Sequence, residues 1–358
     1  LKIQNQESEI GNLVECVPNF SEGRKTETVA RLADTIASVP TTCVLDRHID
    51  PDHNRSVITF VAAPEFIVEA AVRAVGLAAE LIDMREHRGV HPRLGATDVL
   101  PFIPIRGVTM EDCATLAHSA GERIARELGI PVFFYERAAM KPERIHLEDV
   151  RRGALELLRE QIASEPSRAP DVGPLQVHES AGAIAVGARP FLVAFNVNLN
   201  TKDVAVARAI ARVVRARHGG LPFVKALGFE LATRGLAQVS MNLVNYEATG
   251  MTQAYDAVKN EAARMGVEIF STEIVGLVPE KDVSMIQLGD PIMRQAALEG
   301  NRVQATVHVA PSTFAAQKKG FNKVLDVGAL VEMPGGGLTT LAKTIQERPA
   351  DTKRVIRS

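Results

Sequence analysis

The sequence contains no tryptophan and only three tyrosines among its 358 residues. Proteins that bind single-stranded nucleic acids usually stack bases on aromatic rings and follow the phosphates with a basic groove. Acids and bases are nearly balanced here, with a net charge of −2, and no basic stripe follows the chain. We therefore expect neither nucleic acid nor a membrane surface as a partner, and a few local cations must bind any anionic ligand.

Cysteine and long apolar runs are also scarce. Cys16, Cys43 and Cys113 are isolated and odd in number, which argues against a disulfide framework or a zinc ribbon. Cys16 has no neighbouring cation, so a core position is favoured over a nucleophilic role. No segment approaches the ~20 apolar residues that cross a bilayer, and the first residues are polar. These features predict a cytoplasmic protein that does not enter the membrane.

The order of predicted elements appears twice along the chain. Apolar runs typical of strands alternate with segments of helical period. In the first half we predict strands at 13–21, 43–50, 56–62 and 99–105, helices at 26–38 and from Pro64 onward, and an added helix and strand at 110–128 and 131–135. In the second half we predict strands at 191–199, 223–231, 237–245 and 267–274, with helices at 202–217 and 251–265. Both halves have the order βαββαβ, which predicts an α+β fold of two tandem ferredoxin-like sandwiches.

The predicted boundaries give domains at 1–190 and 191–282, followed by an extension at 283–358 to which we assign no role. Residues 137–189 are expected to connect the two sandwiches. In that connector we predict a charged helix at 143–165 and then a small-residue run, SAGAIAVGAR, and a connector of this kind can cross from one sheet to the other. A helix is expected near 291–298.

His91 is the first candidate for chemistry. It lies in the segment RGVHPRLGATD, where glycines and a proline shape a loop between a predicted helix and a strand. Loops held by rigid elements often carry reactive groups. The alternative is a histidine that simply bonds to the loop backbone. His48, Asp50 and His53 share a turn but lack a recognised metal-binding spacing, so we predict no metal.

Several long motifs resemble the glutamate formiminotransferase family. They are LVECVPNFSEG, DPDHNRSVITF, RGVHPRLGATDVLPFIP, RGVTMEDC and VGARPFLVAFNVNL, in that order between residues 13 and 199. The resemblance extends to about residue 282. It implies two ferredoxin-like formiminotransferase subdomains with tetrahydrofolate, as co-substrate, in a channel between them.

The resemblance also implies an activity and site residues. In this family a formimino group moves from N-formiminoglutamate to N5 of tetrahydrofolate during histidine breakdown, and the catalytic histidine of the HPR motif matches His91. The folate-binding stretch matches Gly173, Pro174, Leu175, Gln176, Val177, His178, Glu179, Ser180, Ala181 and Gly182. The family is associated with homodimers. No cyclodeaminase module is recognised, so transferase activity alone is expected.

Charged residues near these motifs are candidates for substrate binding. Both substrates carry carboxylates, which the planar fork of arginine binds through two parallel hydrogen bonds, so Arg55, Arg93 and Arg189 are candidates. Asp46 and Asp98 are candidates, by position, to hold the cationic amidine. For each arginine the alternative is a structural ion pair or a solvated surface charge. The sequence also leaves open another one-carbon donor, such as formylglutamate or formiminoglycine, and a folate-binding protein without catalysis.

Overall fold

The computed structural model describes residues 11–278 together with the backbone of three later strands. These strands, β12 (Ala305–Val309), β13 (Phe321–Asp326) and β14 (Gly336–Leu341), form an antiparallel sheet in the order β12-β14-β13. They belong to a unit separate from the one that spans Glu9–Asp282. The helix predicted near 291–298 lies outside the described residues.

The larger unit begins with a seven-stranded sheet. Its elements are β1 (Leu13–Cys16), β2 (Asn19–Phe20), α1 (Thr26–Ala37), β3 (Cys43–Asp50), β4 (Arg55–Ala62), α2 (Pro64–Leu81), β5 (Thr97–Arg106), α3 (Met110–Leu128), β6 (Val132–Glu136), α4 (Leu147–Val150), α5 (Ala154–Gln161) and β7 (Ile184–Ala188). β1 and β2 lie between β4 and β5, β3 pairs with the outer side of β4, and β7 joins β5 to β6. Helices α1 to α3 cover one face with a large apolar core.

A second, four-stranded sheet follows in the same unit. Its elements are β8 (Val193–Leu199), α6 (Val204–Val214), β9 (Val224–Leu231), β10 (Leu236–Leu243), α7 (Met251–Arg264) and β11 (Ile269–Val275). The strands are antiparallel in the order β11-β8-β10-β9, and α6 and α7 bury one face. The predicted α+β fold with two sheets is confirmed. Among the described residues, no helix combines the length and apolar character needed to cross a membrane.

Local rules explain where several elements begin and end. Pro64 opens α2, a position at which its missing N–H costs nothing. The Thr109 hydroxyl accepts a hydrogen bond from the Asp112 amide at the start of α3, and Asp112 accepts one from the Thr109 amide in return. Gly129 ends this helix in a left-handed conformation with φ 65°. The predicted bounds of α3 match the structure.

Two predictions in the connector were wrong. The helix expected at 143–165 is divided into the 3-10 turn Pro142–Arg144, α4 and α5, because Gly153 and Ala154 adopt positive φ values of 76° and 53°. The small-residue run, expected to be part of the connector, instead forms β7, a central strand parallel to β5 and β6. Its small residues allow close packing: a Cβ on Gly187 would lie 2.5 Å from Cε1 of Tyr135.

Candidate active site

A cavity of about 1320 Å³ lies between the two sheets. Alternate residues of β1, β4 and β5 line one side, and residues of β8, β9 and β10 line the other. Hydrogen bonds join the two sheets at one end of it, where Asp52 accepts from the Thr233 hydroxyl at 2.7 Å and Asp50 accepts from Arg234 at 2.9 Å. Lys225 on β9 joins them elsewhere, with Nζ 3.4 Å from Glu136 Oε1 on β6.

His91 reaches this cavity from the loop between α2 and β5. Its Nδ1 lies 2.8 Å from the carbonyl oxygen of Pro92, which can only accept, so the hydrogen is on Nδ1 and Nε2 carries the lone pair. The ring stacks on Phe229 of β9, with centroids 5.3 Å apart and planes inclined by 25°. Burial, followed by the charges of Arg55 and Arg151, holds the pKa of His91 well below its ordinary value. The imidazole is therefore neutral, and its Nε2 is unprotonated.

Neighbouring backbone holds the His91 loop in place. The Leu94 carbonyl accepts from the Ala183 amide at 2.9 Å, and the Ala96 amide donates to the Ala181 carbonyl at 2.8 Å. Gly95 permits this approach, because a Cβ there would lie 2.2 Å from the Ala183 carbonyl oxygen. The loop is thus packed against the chain that leads into β7.

Asp98 connects the same loop to two arginines. The side chain of Asp98 is fully buried, and its Oδ1 accepts from the Leu94 amide at 2.9 Å. Its Oδ2 accepts from Arg55 Nη1 at 2.7 Å and also from Arg151 Nη2. Burial would raise the pKa of Asp98, but the charges of Arg151 and Arg55 outweigh burial and lower it. Asp98 is therefore ionised and fixes both guanidinium groups beside the cavity.

His53 provides a second imidazole near His91. It lies in the turn between β3 and β4, and the two ring centroids are 5.9 Å apart. His53 is 8% exposed, and its Nε2 has no hydrogen-bond partner in the part of the chain that the structure describes. Burial lowers the pKa of His53, so this ring too is neutral.

His48, Asp50 and Glu273 place ligand atoms within 4.8 Å of one another, a spacing that could hold a metal. The carboxylates already have other partners. Asp50 accepts from the His53 amide at 2.8 Å and from Arg234, and Glu273 accepts from Gln238 at 3.3 Å. The guanidinium of Arg234 therefore already neutralises the negative charge that would hold a metal cation.

Glu15, Tyr135 and Arg189 form another ionisable group on the cavity wall. Burial raises the pKa of Glu15 to about 7, although the charge of Arg189 opposes the change. Burial likewise raises the pKa of Tyr135 to about 12. The same cavity thus contains neutral imidazoles, guanidinium groups and a carboxyl group that titrates near neutral pH.

Comparison with known sequences places this arrangement in a family. Residues 13–189 match the family model of the formiminotransferase domain, N-terminal subdomain, and residues 194–315 match that of the formiminotransferase domain. The chain belongs to the formiminotransferase family.

Individual relatives agree with this placement. The glutamate formimidoyltransferase of Thermoplasma acidophilum is 51% identical over 75% of this chain and 89% of its own length. The enzyme of the same name from Streptococcus pyogenes serotype M1 is 46% identical over 76% of this chain and 91% of its own length. The formimidoyltransferase-cyclodeaminase of Rattus norvegicus is 42% identical over 76% of this chain and 51% of its own length.

Only some of the residues that the formiminotransferase motifs suggested reach the cavity. His91, Arg55 and Arg189 line it, whereas Asp98 lies behind Arg55 and Arg151. The guanidinium of Arg93 instead pairs with Glu156 at 2.7 Å and donates to His87 Nδ1 at 3.2 Å. Asp46 lies on β3 opposite Thr59, and the described lining of the cavity does not include it.

The stretch Gly173–Gly182 also lies apart from the described cavity lining. Its end bridges to Gly95, its Ser180 carbonyl accepts from the Met84 amide at 2.7 Å, and Glu179 pairs with Arg85 at 2.6 Å. These contacts support the His91 loop from behind. Folate binding by this stretch stays a prediction.

The structure adds residues that the sequence did not identify as parts of a binding site. Arg151 follows α4 in a charged segment without a recognisable motif, and Phe229 and Glu15 lie on strands whose pattern indicates only alternating burial. His53 drew attention only as a metal ligand. Cys16 is fully buried in the core, and burial raises its pKa, as expected for a thiol without a nucleophilic role.

Proposed function

We infer that the protein is a glutamate formimidoyltransferase. It transfers the formimino group of N-formimino-L-glutamate to N5 of tetrahydrofolate, which gives 5-formiminotetrahydrofolate and glutamate. The observation that carries this conclusion is family membership across both sheets, together with two glutamate formimidoyltransferases that share about half of the residues over nearly their whole length.

The proposed catalytic group is His91. When N5 attacks the amidine carbon, N5 becomes positively charged and must lose a proton, and the departing glutamate nitrogen must gain one. A neutral imidazole can accept the first proton at Nε2 and deliver it to the second nitrogen. The Nδ1 hydrogen bond to Pro92 supports this assignment because it keeps the lone pair on Nε2.

Tetrahydrofolate is proposed to lie in the cavity between the sheets. Its volume, about 1320 Å³, exceeds the ~300–1,000 Å³ typical of small-molecule sites, as expected where two substrates must meet. Phe229 and His91 provide ring surfaces beside which a flat pterin can pack. The stretch Gly173–Gly182 would then act on folate indirectly, because it supports the loop that carries His91.

A ferredoxin-like topology is proposed for both sheets. The strand order β5, β1, β4, β3 in the first sheet and β11, β8, β10, β9 in the second supports two βαββαβ units of one kind. In such a duplication the cavity lies between equivalent faces, which explains why both sheets contribute residues to it.

Turnover of purified protein with formiminoglutamate and tetrahydrofolate tests the function, with glutamate release as the measured product. His91→Ala should fold normally and bind tetrahydrofolate, but it should lose turnover by roughly 100-fold to 10,000-fold. His218→Ala, at an exposed histidine outside the described cavity lining, serves as the control. A near-normal rate for His91→Ala would refute its assignment, and no turnover of the unaltered protein would refute the function.

A further inference from the structure

One buried carboxylate forms ion pairs with two guanidinium groups beside His91. Asp98 is fully buried, and the side chains of its partners Arg55 and Arg151 are only 10% and 13% exposed. Within residues 11–278, no other carboxylate forms an ion pair with either arginine that would balance the second positive charge. A desolvated, uncompensated charge is costly, so this group is suited to bind an anion.

The hydrogen-bonding capacity of the pair is also incomplete. Arg55 uses Nη2 to donate to Asn19 Oδ1 at 2.9 Å, but the buried Nε of Arg151 has no partner among the described residues. Both arginines line the cavity. Among the described residues, Arg151 bonds to Asp98 through Nη2, so other donors of its guanidinium remain to bind one oxygen of a carboxylate while the neighbouring guanidinium binds the other.

The position of the pair indicates which carboxylate it can bind. Both arginines line the cavity that His91 enters, and Asp98, which binds both of them, accepts from the Leu94 amide in the loop that carries His91. The carboxylates of folate lie beyond its aminobenzoyl ring and so far from N5. The α-carboxylate of formiminoglutamate, by contrast, is attached to the carbon that bears the amidine nitrogen, so it must lie next to the reacting centre.

We propose that Arg55 and Arg151 together bind the α-carboxylate of N-formimino-L-glutamate. This inference rests on the proposed function and makes the pair the element that selects an α-amino acid as the leaving group. It also links binding to chemistry. A bound carboxylate offsets the positive charge that disfavours protonated His91, so the imidazole becomes a stronger base once the donor is in place.

Steady-state kinetics with saturating tetrahydrofolate test the proposal. The donors are formiminoglutamate and N-formimino-4-aminobutyrate, which lacks only the α-carboxylate. In the unaltered protein, removal of this carboxylate should lower kcat/KM by about 100-fold. Arg151→Gln should show a similar loss with formiminoglutamate and little further loss with the analogue, because the two changes remove the same contact.

Arg152→Gln is the matched control, since the adjacent arginine is 73% exposed and pairs with Asp149. It should behave like the unaltered protein with both donors. Titration calorimetry should show unchanged affinity of Arg151→Gln for tetrahydrofolate, which separates a local loss from misfolding. N-formiminoglutamine, which keeps the α-carboxylate and lacks the γ-carboxylate, should retain the full dependence on Arg151.

Three results would overturn the proposal. One is an unchanged kcat/KM for formiminoglutamate in Arg151→Gln, and another is equal, independent losses of kcat/KM with both donors. The third is dependence on Arg151 that disappears with formiminoglutamine and persists with the aminobutyrate analogue. If one of these results is found and the unaltered protein still turns over formiminoglutamate, the arginine proposal fails but the proposed function stands. Absence of turnover in the unaltered protein would remove both.

Discussion

Replacement of Asp98 by asparagine should destabilise the protein strongly, because it removes the only negative charge between two buried arginines in the described residues. The amide can still accept from Leu94, but it cannot compensate Arg55 and Arg151. Breaking a buried ion pair by removing one partner typically costs about 3–5 kcal/mol. We expect the free energy of unfolding of Asp98→Asn to fall by about this amount at pH 7.

The loss should also depend on pH. The pKa of Asp98 is lower in the folded protein than in the unfolded chain, so its contribution is present above the unfolded value of about 3.9. It is lost as the pH falls through the folded value. The difference between the unaltered protein and Asp98→Asn should therefore shrink in acid, as measured by urea unfolding followed by circular dichroism at pH 7 and at pH values below about 4.

Glu127 offers a matched control, since it too accepts from two arginines, Arg123 and Arg126, but is exposed on α3. Exposed ion pairs contribute little, so Glu127→Gln should change unfolding far less. The reasoning would be refuted if Asp98→Asn lost no more stability than Glu127→Gln. It would also be refuted if the loss did not diminish in acid.

Three further predictions follow from the ionisable groups. Since the pKa of His91 is well below its ordinary value, kcat/KM should stay level as the pH falls through the usual histidine range, and it should drop only at lower pH, where the base is protonated. A pH–rate profile with its acid limb at or above about pH 6.5 would contradict this prediction. The folded pKa of Glu15, about 7, lies above its unfolded value, so ionisation progressively destabilises the fold as pH rises between the two values. Glu15→Gln should therefore be more stable, relative to the unaltered protein, at pH 8 than at pH 4 by about 3 kcal/mol, and equal effects in urea unfolding at both pH values would contradict the assignment. Because the carboxylates of Asp50 and Glu273 are bonded to other groups, dialysis against a chelator should leave turnover unchanged, and loss of activity restored by a divalent cation would refute this.

Periodicity in the sequence was sufficient to predict most helices and strands. The pattern over α3 predicted its bounds, because an amphipathic run with a capping residue at one end and a glycine at the other encodes the helix locally. The same reasoning failed at β7, where small residues resembled a connector. Their role became visible only when Gly187 lay against Tyr135, a contact between strands that are distant along the chain.

The sequence by itself determined the duplicated order of elements, the absence of a general field for polyanions, and, through a distinctive motif, the importance of His91. Tertiary structure decided which groups surround that residue. Asp98 is 43 residues from Arg55 and 53 from Arg151, so neither spacing nor periodicity could pair them. Their charges meet because β4, β5 and the turn after α4 converge on one buried point. The excess positive charge at that point is a property of the fold, since it depends on which groups are buried together.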